Sequence, residues 1–233
     1  MNKIWKSIMM VTLLFLAACN TEETKEIPKT QPEVKQLPTR QSTSIESLTK
    51  LYLPGHVSEK RVTPITHAVI HFTSNAQEKP EDPYQILDTY DIFNQYGVSS
   101  HYVIDRSGKL YQFVTENRIA YHAGKGSLAN YPTYHNKLNA YSIGIELLAI
   151  GTKEEMVSMM TEEDYDNIDP IHIGYTNEQY ETLRDLLLDI SAFYGTVPLD
   201  REHIIGHDEY APERKTDPGS LFDWEHLMNL LDE

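Results

Sequence analysis

From about residue 45 onward, apolar runs alternate with helical patterns along the chain. Residues 65–73, ITHAVIHFT, are rich in β-branched and apolar side chains, and residues 142–151, SIGIELLAIG, form a second such run, so both predict buried strands. Residues 101–114, HYVIDRSGKLYQFV, read as two strands joined by a tight Ser-Gly turn. Together these runs predict a sheet.

Helical periodicity marks three other segments. Residues 82–97 begin with an Asp-Pro pair and end at glycine, and residues 176–195 carry an apolar stripe between a capping Thr176 and a terminating Gly195. A last helix is expected to begin near Asp223. Strands and helices in this order predict one α/β domain with a central mixed sheet flanked by helices.

The N-terminal region has a different character. Residues 1–18 carry two lysines and then a short apolar run, which is the layout of a secretion signal. The ending LAAC resembles the lipobox of bacterial lipoproteins, which implies cleavage before Cys19 and acylation of that cysteine; an ordinary signal peptide with a chance cysteine is the alternative. Residues 20–44 are polar and rich in proline, glutamate and threonine, so they predict a disordered tether, and residues 45–233 form the folded domain.

Charge narrows the range of partners. Removing Lys3 and Lys6 with the signal leaves 18 basic against 35 acidic side chains, a formal charge of −17. Nucleic acid is therefore not an expected partner, because its affinity depends on neutralising phosphates. The oligomeric state is left open by the sequence.

Residues 204–224, IIGHDEYAPERKTDPGSLFDW, concentrate charged side chains in a segment that also contains two prolines and two glycines. Such a segment is usually a solvated connection. His203 and His207 stand four residues apart, as in helical zinc sites, but Gly206 and the paired isoleucines favour the end of a strand. We therefore expect one histidine of this pair, His207, to take part in a site.

A catalytic zinc site needs three protein ligands and one open position, gathered at strand ends and in adjacent loops. His71 ends the first strand, His207 follows the apolar HIIG run, and Asp217 lies ten residues later in a turn that can fold back. Glu146 lies inside an apolar strand, where a carboxylate is costly to bury unless a cation accompanies it. A salt-bridged structural acid is the alternative for Glu146.

These positions also carry a family resemblance, which covers roughly residues 63–230. The chain resembles the zinc-dependent N-acetylmuramoyl-L-alanine amidases, a family that includes phage-lysozyme-type amidases and peptidoglycan recognition proteins. The likeness is strongest in GHDEYAPERKTDPGSLFDW, which is similar to the same segment of the anhydromuropeptide amidases. It is supported, in the family's order, by VIHFTSN, VSSHYVIDRSGKLYQFV, AYHAG and NAYSIGIELLAIG.

The resemblance implies a role for each matching residue. It makes His71, His207 and Asp217 the zinc ligands at one end of the sheet, and it makes Glu146 and Lys215 catalytic. His101 and His122 match histidines that recur near the cleft, so they are candidates for contacting substrate. Other branches place a catalytic tyrosine where this chain has Ser100, and this departure puts more weight on Glu146.

The implied function is hydrolysis of the amide between N-acetylmuramoyl, or anhydromuramoyl, and L-alanine in peptidoglycan stem peptides, with Zn²⁺ as cofactor. With the lipoprotein signal, the enzyme is expected to act outside the inner membrane, attached to the bacterial cell membrane by a lipid anchor at Cys19, with peptidoglycan or muropeptides as partners; the sequence leaves open which envelope leaflet holds the anchor. Three alternatives remain: a muropeptide-binding lipoprotein without activity, a structural lipoprotein with a vestigial fold, and an amidase for another acylated amino acid.

Overall fold

A six-stranded sheet organises residues 48–233, the part of the chain that this computed structural model describes. From one edge to the other its strands are β1 (Thr49–Lys50), β5 (Leu110–Gln112), β4 (Tyr102–Ile104), β7 (Ser142–Leu148), β3 (His67–Thr73) and β8 (Ile204–Gly206). Strands β4 and β5 are antiparallel, and every other neighbouring pair is parallel. Strands β2 (Ser58–Lys60) and β6 (Arg118–Ala120) form a separate antiparallel pair. The predicted central mixed sheet is confirmed.

Six α-helices accompany the strands in the described residues. They are α1 (Ile86–Tyr96), α2 (Lys153–Met156), α3 (Glu162–Asp166), α4 (Asn177–Tyr194), α5 (His207–Tyr210) and α6 (Trp224–Asp232). The predicted ends of α4 are confirmed, since Thr176 accepts a hydrogen bond from the Gln179 amide and Gly195 adopts a left-handed conformation. Asp223 caps α6, as expected from the sequence.

The helices cover both faces of the sheet. On one face, Leu183 and Leu187 of α4 and Leu227 of α6 pack in the cluster that contains Tyr102 and Ile104 of β4. On the other face, Phe93 of α1 packs in a cluster with Val103 of β4, whose side chain points away from those of Tyr102 and Ile104. Parallel strands that are covered on both sides are apolar throughout, which is why these runs were conspicuous in the sequence.

The helix predicted over residues 82–97 begins later than the Asp-Pro pair suggested. It starts at Ile86, because the segment before it is held in turns. The Pro83 carbonyl accepts the Asn75 amide at 2.8 Å, and the Asp82 carboxylate accepts the Gln85 side chain instead of capping a helix. Gly97 ends the helix in a left-handed conformation, as predicted.

The predicted signal, Cys19 and the tether over residues 20–44 lie outside the described residues. Within residues 48–233, none of the helices combines the length and the apolar character needed to cross a bilayer.

Candidate metal centre

The candidate metal centre lies where three parallel strands end together. Strand β3 pairs with β7 on one side and with β8 on the other. His71 of β3 and Glu146 of β7 are direct partners in this register, so their side chains lie on the same face of the sheet. His207 follows β8 immediately. The carboxyl ends of parallel strands are the usual location of sites in such sheets.

Asp217 reaches this edge through the loop after α5. The loop turns back because the Lys215 amide donates to the Ala211 carbonyl at 2.9 Å. The amide of Asp208, next to His207, then donates to the Asp217 carbonyl at 2.8 Å. These backbone bonds bring two residues that are ten positions apart in the chain into one site.

The three predicted ligands converge in space. Asp217 Oδ2 lies 2.7 Å from His71 Nδ1 and 3.0 Å from His207 Nδ1. One candidate ligand atom from each residue lies within 4.8 Å of the others, and this is the one such group of three among the residues described. All three side chains are buried. The arrangement is a candidate His–His–Asp metal site.

The donors in this site suit a cation. His207 Nε2 lies 2.9 Å from the Ala123 carbonyl, which can only accept, so Nε2 carries the proton and a neutral ring presents a bare Nδ1 to Asp217. Burial, followed by the neighbouring His207, lowers the pKa of His71 to about 4, which leaves its ring neutral near pH 7. Neutral imidazoles with a carboxylate form the donor set of a divalent transition-metal ion.

The carboxylate itself is held in its charged form. Burial alone would raise the pKa of Asp217, but the adjacent rings of His207 and His71 lower that pKa well below its ordinary value. A charged carboxylate between the two rings gives the site a negative charge for a cation to neutralise.

Glu146 and Lys215 line the same cavity as the three candidate ligands, and its volume is about 200 Å³. Burial, followed by repulsion from Asp217, raises the pKa of Glu146 well above its ordinary value, while Lys215 opposes that rise. A buried carboxyl that binds a proton readily, next to a half-buried lysine, is an arrangement suited to proton transfer.

His101 and His122 occupy different places. His122 lines the cavity, and its Nδ1 lies 3.1 Å from Nε2 of His71. His101 is fully buried and does not line the cavity; its Nδ1 accepts the Gly144 amide at 3.0 Å, and its Nε2 lies 3.1 Å from the Arg118 carbonyl. The structure therefore gives His101 a role in holding backbone together rather than in touching substrate.

The second histidine of the HIIGH segment takes no part in the site. His203 Nδ1 lies 2.7 Å from Asp200, and its Nε2 lies 3.0 Å from the Tyr131 hydroxyl. The prediction that only one histidine of this pair belongs to the site agrees with this placement, because β8 ends at Gly206 and no helix joins the two rings.

Residues 152–170 form part of the wall of the site. Met159 lines the cavity, while Met156 and Met160 are buried beneath. Glu155 ties this segment to the loop of Asp217, since its carboxylate accepts the amides of Thr152 at 2.8 Å and Ser220 at 2.6 Å. Sequence reasoning missed Glu155, although the Thr-x-x-Glu spacing of a capping box was visible.

Comparison with known proteins defines the class. The profile of the N-acetylmuramoyl-L-alanine amidase family, Amidase_2, matches residues 61–220, which is more than half of the chain. The chain belongs to the N-acetylmuramoyl-L-alanine amidase family.

Two curated relatives illustrate where the chain falls within this family. It is 33% identical over 137 residues to the 1,6-anhydro-N-acetylmuramyl-L-alanine amidase AmpD of Haemophilus influenzae, an alignment that covers 59% of this chain and 60% of that protein. It is also 33% identical over 138 residues to the N-acetylmuramoyl-L-alanine amidase AmiD of Escherichia coli, covering 56% of this chain and 43% of that protein. The matched region thus spans only part of each relative.

Solved structures agree on the fold. A selenomethionine derivative of AmpD superposes with a TM-score of 0.61 at 24% identity, covering 80% of this chain and 96% of that one. AmiD from Escherichia coli, in complex with the substrate anhydro-N-acetylmuramic acid-L-Ala-D-γ-Glu-L-Lys, superposes with a TM-score of 0.51 at 27% identity, covering 71% of this chain and 57% of that one.

We expect Glu146→Gln to stabilise the metal-free protein at pH 7. A carboxyl whose pKa is higher in the folded than in the unfolded state costs stability as the pH rises above the unfolded pKa, and the amide removes that cost. The free energy of unfolding in urea, measured with a chelator present, should rise by about 0.5–2 kcal/mol at pH 7. The gain should shrink toward pH 4, and Glu81→Gln, at an exposed loop position, should change neither value. Equal stability of Glu146→Gln and wild type at pH 7 would contradict the assignment.

We expect Glu155→Ala to loosen the loop that carries Lys215 and Asp217. Without the carboxylate, the Ser220 amide loses its acceptor, so its hydrogen exchange should accelerate about fivefold, as for loss of a bond worth about 1 kcal/mol. Exposed Glu154 is the matched control, since Glu154→Ala leaves both amides paired. Unchanged protection of Ser220 in Glu155→Ala would show that the loop does not depend on this carboxylate.

Proposed function

We propose that this chain is a zinc-dependent amidase that hydrolyses the bond between N-acetylmuramoyl, or anhydromuramoyl, and the L-alanine of peptidoglycan stem peptides. The observation that carries the proposal is the convergence of His71, His207 and Asp217 in one cavity with Glu146 and Lys215. Membership of the family supports the reaction type. The printed substrate of the similar AmiD structure, an anhydromuramoyl peptide that begins with L-alanine, supports the substrate class.

The three ligands define what a metal would contribute. Two neutral imidazoles and one carboxylate leave a bound zinc ion with net positive charge, so it would polarise the scissile carbonyl and lower the pKa of a water molecule. Asp217 lies next to both rings and carries a single negative charge, so it would neutralise only part of the charge of a divalent ion.

Glu146 is proposed as the group that moves protons. It faces the cavity beside His71 and is buried, so its carboxylate is a stronger base than an exposed one. It would accept the proton of the attacking water and pass it to the L-alanine nitrogen, which must be protonated to leave. Placement on a rigid central strand keeps its position defined through both transfers.

Lys215 is proposed to stabilise the negative charge that develops on the carbonyl oxygen. It lines the cavity two residues before Asp217, so the same loop positions a ligand and a cation. A fixed positive group near a developing oxyanion acts most strongly where water is excluded.

The N-terminal sequence is the basis for a proposed location. We propose that residues 1–18 are a lipoprotein signal, that Cys19 carries the lipid anchor, and that residues 20–44 tether the domain outside the inner membrane. This would confine cleavage to peptidoglycan, or to muropeptides released from it, within reach of the tether. The lipobox-like LAAC ending supports this proposal.

The function is tested by incubating the full chain with purified peptidoglycan and with anhydromuropeptides. Mass spectrometry should detect free stem peptide that begins with L-alanine, and a chelator should abolish its release. Glu146→Gln should lower kcat by about 10²–10⁴-fold and Lys215→Ala by about 10²–10³-fold, because each removes a group that acts in the transition state.

Glu81→Gln is the control for this experiment and should retain wild-type activity. Retention of the peptide by wild type, with muropeptide still bound, would favour a binding protein over an amidase. Release of a different amino acid from an acylated substrate would move the specificity away from peptidoglycan. Release that persists in the chelator would contradict the metal requirement.

A further inference from the structure

Four groups lie in a hydrogen-bonded line behind His71. They are the Leu138 carbonyl, the Ser142 hydroxyl, the His122 ring and the Nε2 side of the His71 ring, and each consecutive pair lies within 3.1 Å. We propose that Ser142 and His122 are positioning residues that fix the tautomer of His71, so that its Nδ1 lone pair faces the metal. This inference rests on the zinc site proposed above.

The direction in which hydrogen bonds are donated along this line is determined at the end farthest from His71. Ser142 Oγ lies 2.7 Å from the Leu138 carbonyl oxygen, which can only accept, so the hydroxyl proton is used there. His122 Nε2 lies 3.1 Å from the same Oγ and must therefore donate to it. A neutral imidazole has one donor and one acceptor, so Nδ1 of His122 accepts.

The accepting nitrogen of His122 determines which ring nitrogen of His71 carries the proton. The donor that reaches it is His71 Nε2, at 3.1 Å, so the proton of a neutral His71 ring resides on Nε2. Nδ1 is then bare, and it is the atom 2.7 Å from Asp217 Oδ2. A hydrogen bond on the far nitrogen is the usual way in which proteins orient a metal-binding histidine.

The backbone holds this hydrogen-bonded line, here called the relay, in place. Ser142, Gly144 and Glu146 alternate along β7 and therefore share one face of the strand. A Cβ at Gly144 would lie 2.5 Å from Cγ of His122, so glycine leaves the room that the ring occupies. The Asn139 side chain accepts the His122 amide at 3.1 Å and the Ala123 amide at 2.7 Å, which fixes the segment that carries the ring.

The same segment orients the second histidine ligand. The carbonyl of Ala123, the residue after His122, accepts from His207 Nε2 at 2.9 Å. Both candidate ligands are thus turned so that Nδ1 faces Asp217, one by a side chain and the other by the neighbouring carbonyl. Residues 122 and 123 act together as the support of the metal centre.

The test measures the zinc dissociation constant of the full chain by competition with a chromophoric chelator. We expect His122→Ala and Ser142→Ala to weaken zinc binding by about 10–100-fold, the range found when a hydrogen-bond partner of a ligand histidine is removed. Ser100→Ala is the matched control, because Ser100 is equally buried and donates to a backbone carbonyl, Tyr102, outside the relay. Its affinity for zinc should equal that of wild type.

A second measurement separates positioning from general loosening of the fold. In the ¹⁵N NMR spectrum of the zinc-loaded wild type, His71 should coordinate through Nδ1 and carry its proton on Nε2, with a proton signal shifted by the hydrogen bond to His122. That shift should disappear in His122→Ala while the backbone spectrum away from the site stays the same.

The outcomes distinguish this inference from the proposed function. Wild-type zinc affinity in both His122→Ala and Ser142→Ala, coordination of zinc through Nε2 of His71, or equal losses in Ser142→Ala and Ser100→Ala would each overturn the relay. A wild type that binds zinc through Nδ1 but releases no peptide would contradict the amidase and support the relay. A wild type that binds no zinc would contradict both.

Discussion

The contact between the Asp217 carboxylate and the imidazoles of His71 and His207 is the interaction around which the rest of the domain is arranged. A charged carboxylate and bare ring nitrogens are costly to bury without a cation, yet all three side chains are buried where the strands end. The backbone bond from Asp208 to Asp217, the Glu155 carboxylate and the relay behind His71 all hold this contact in one geometry. The local cost in stability is offset by the apolar packing on both faces of the sheet.

The sheet explains how distant residues meet with the necessary accuracy. Strands β3, β7 and β8 are parallel neighbours, so His71, Glu146 and His207 are delivered to one edge by three separate parts of the chain. Glu146 is an exception to the apolar pattern of its strand, and its position follows from the register with His71. The register must be kept, since a slip by one residue would turn Glu146 to the opposite face of the sheet. Side-chain packing on both faces prevents such a slip.

The sequence was informative where one physical rule dominated. Long apolar runs predicted β3 and β7, and capping residues predicted both ends of α4, because burial and unpaired backbone groups leave clear local patterns. Strands β1, β2 and β6 were missed, since each has only two or three residues and at least one of them is charged, so no apolar run marks the strand. The candidate ligands could be named from strand ends and family motifs, but the place of His101 in the interior could not, because it depends on contacts with Arg118 and Gly144.

The relay shows a further limit of the sequence. Ser142 resembles any small residue at the start of a strand, and its importance arises from distances to Leu138 and His122 that only the fold defines. Glu155 is similar, since its second hydrogen bond crosses to a loop that is 65 positions away in the chain. Residues that support a site are therefore harder to predict than residues that form it.

The proposed function depends on a zinc site built from these three side chains. The most direct measurement is a crystal structure of the chain grown with zinc, with diffraction data collected on both sides of the zinc absorption edge. We expect one anomalous peak at about 2.0–2.2 Å from Nδ1 of His71, Nδ1 of His207 and a carboxylate oxygen of Asp217. An occupied zinc peak elsewhere, with these three side chains joined only by hydrogen bonds to one another, would contradict it.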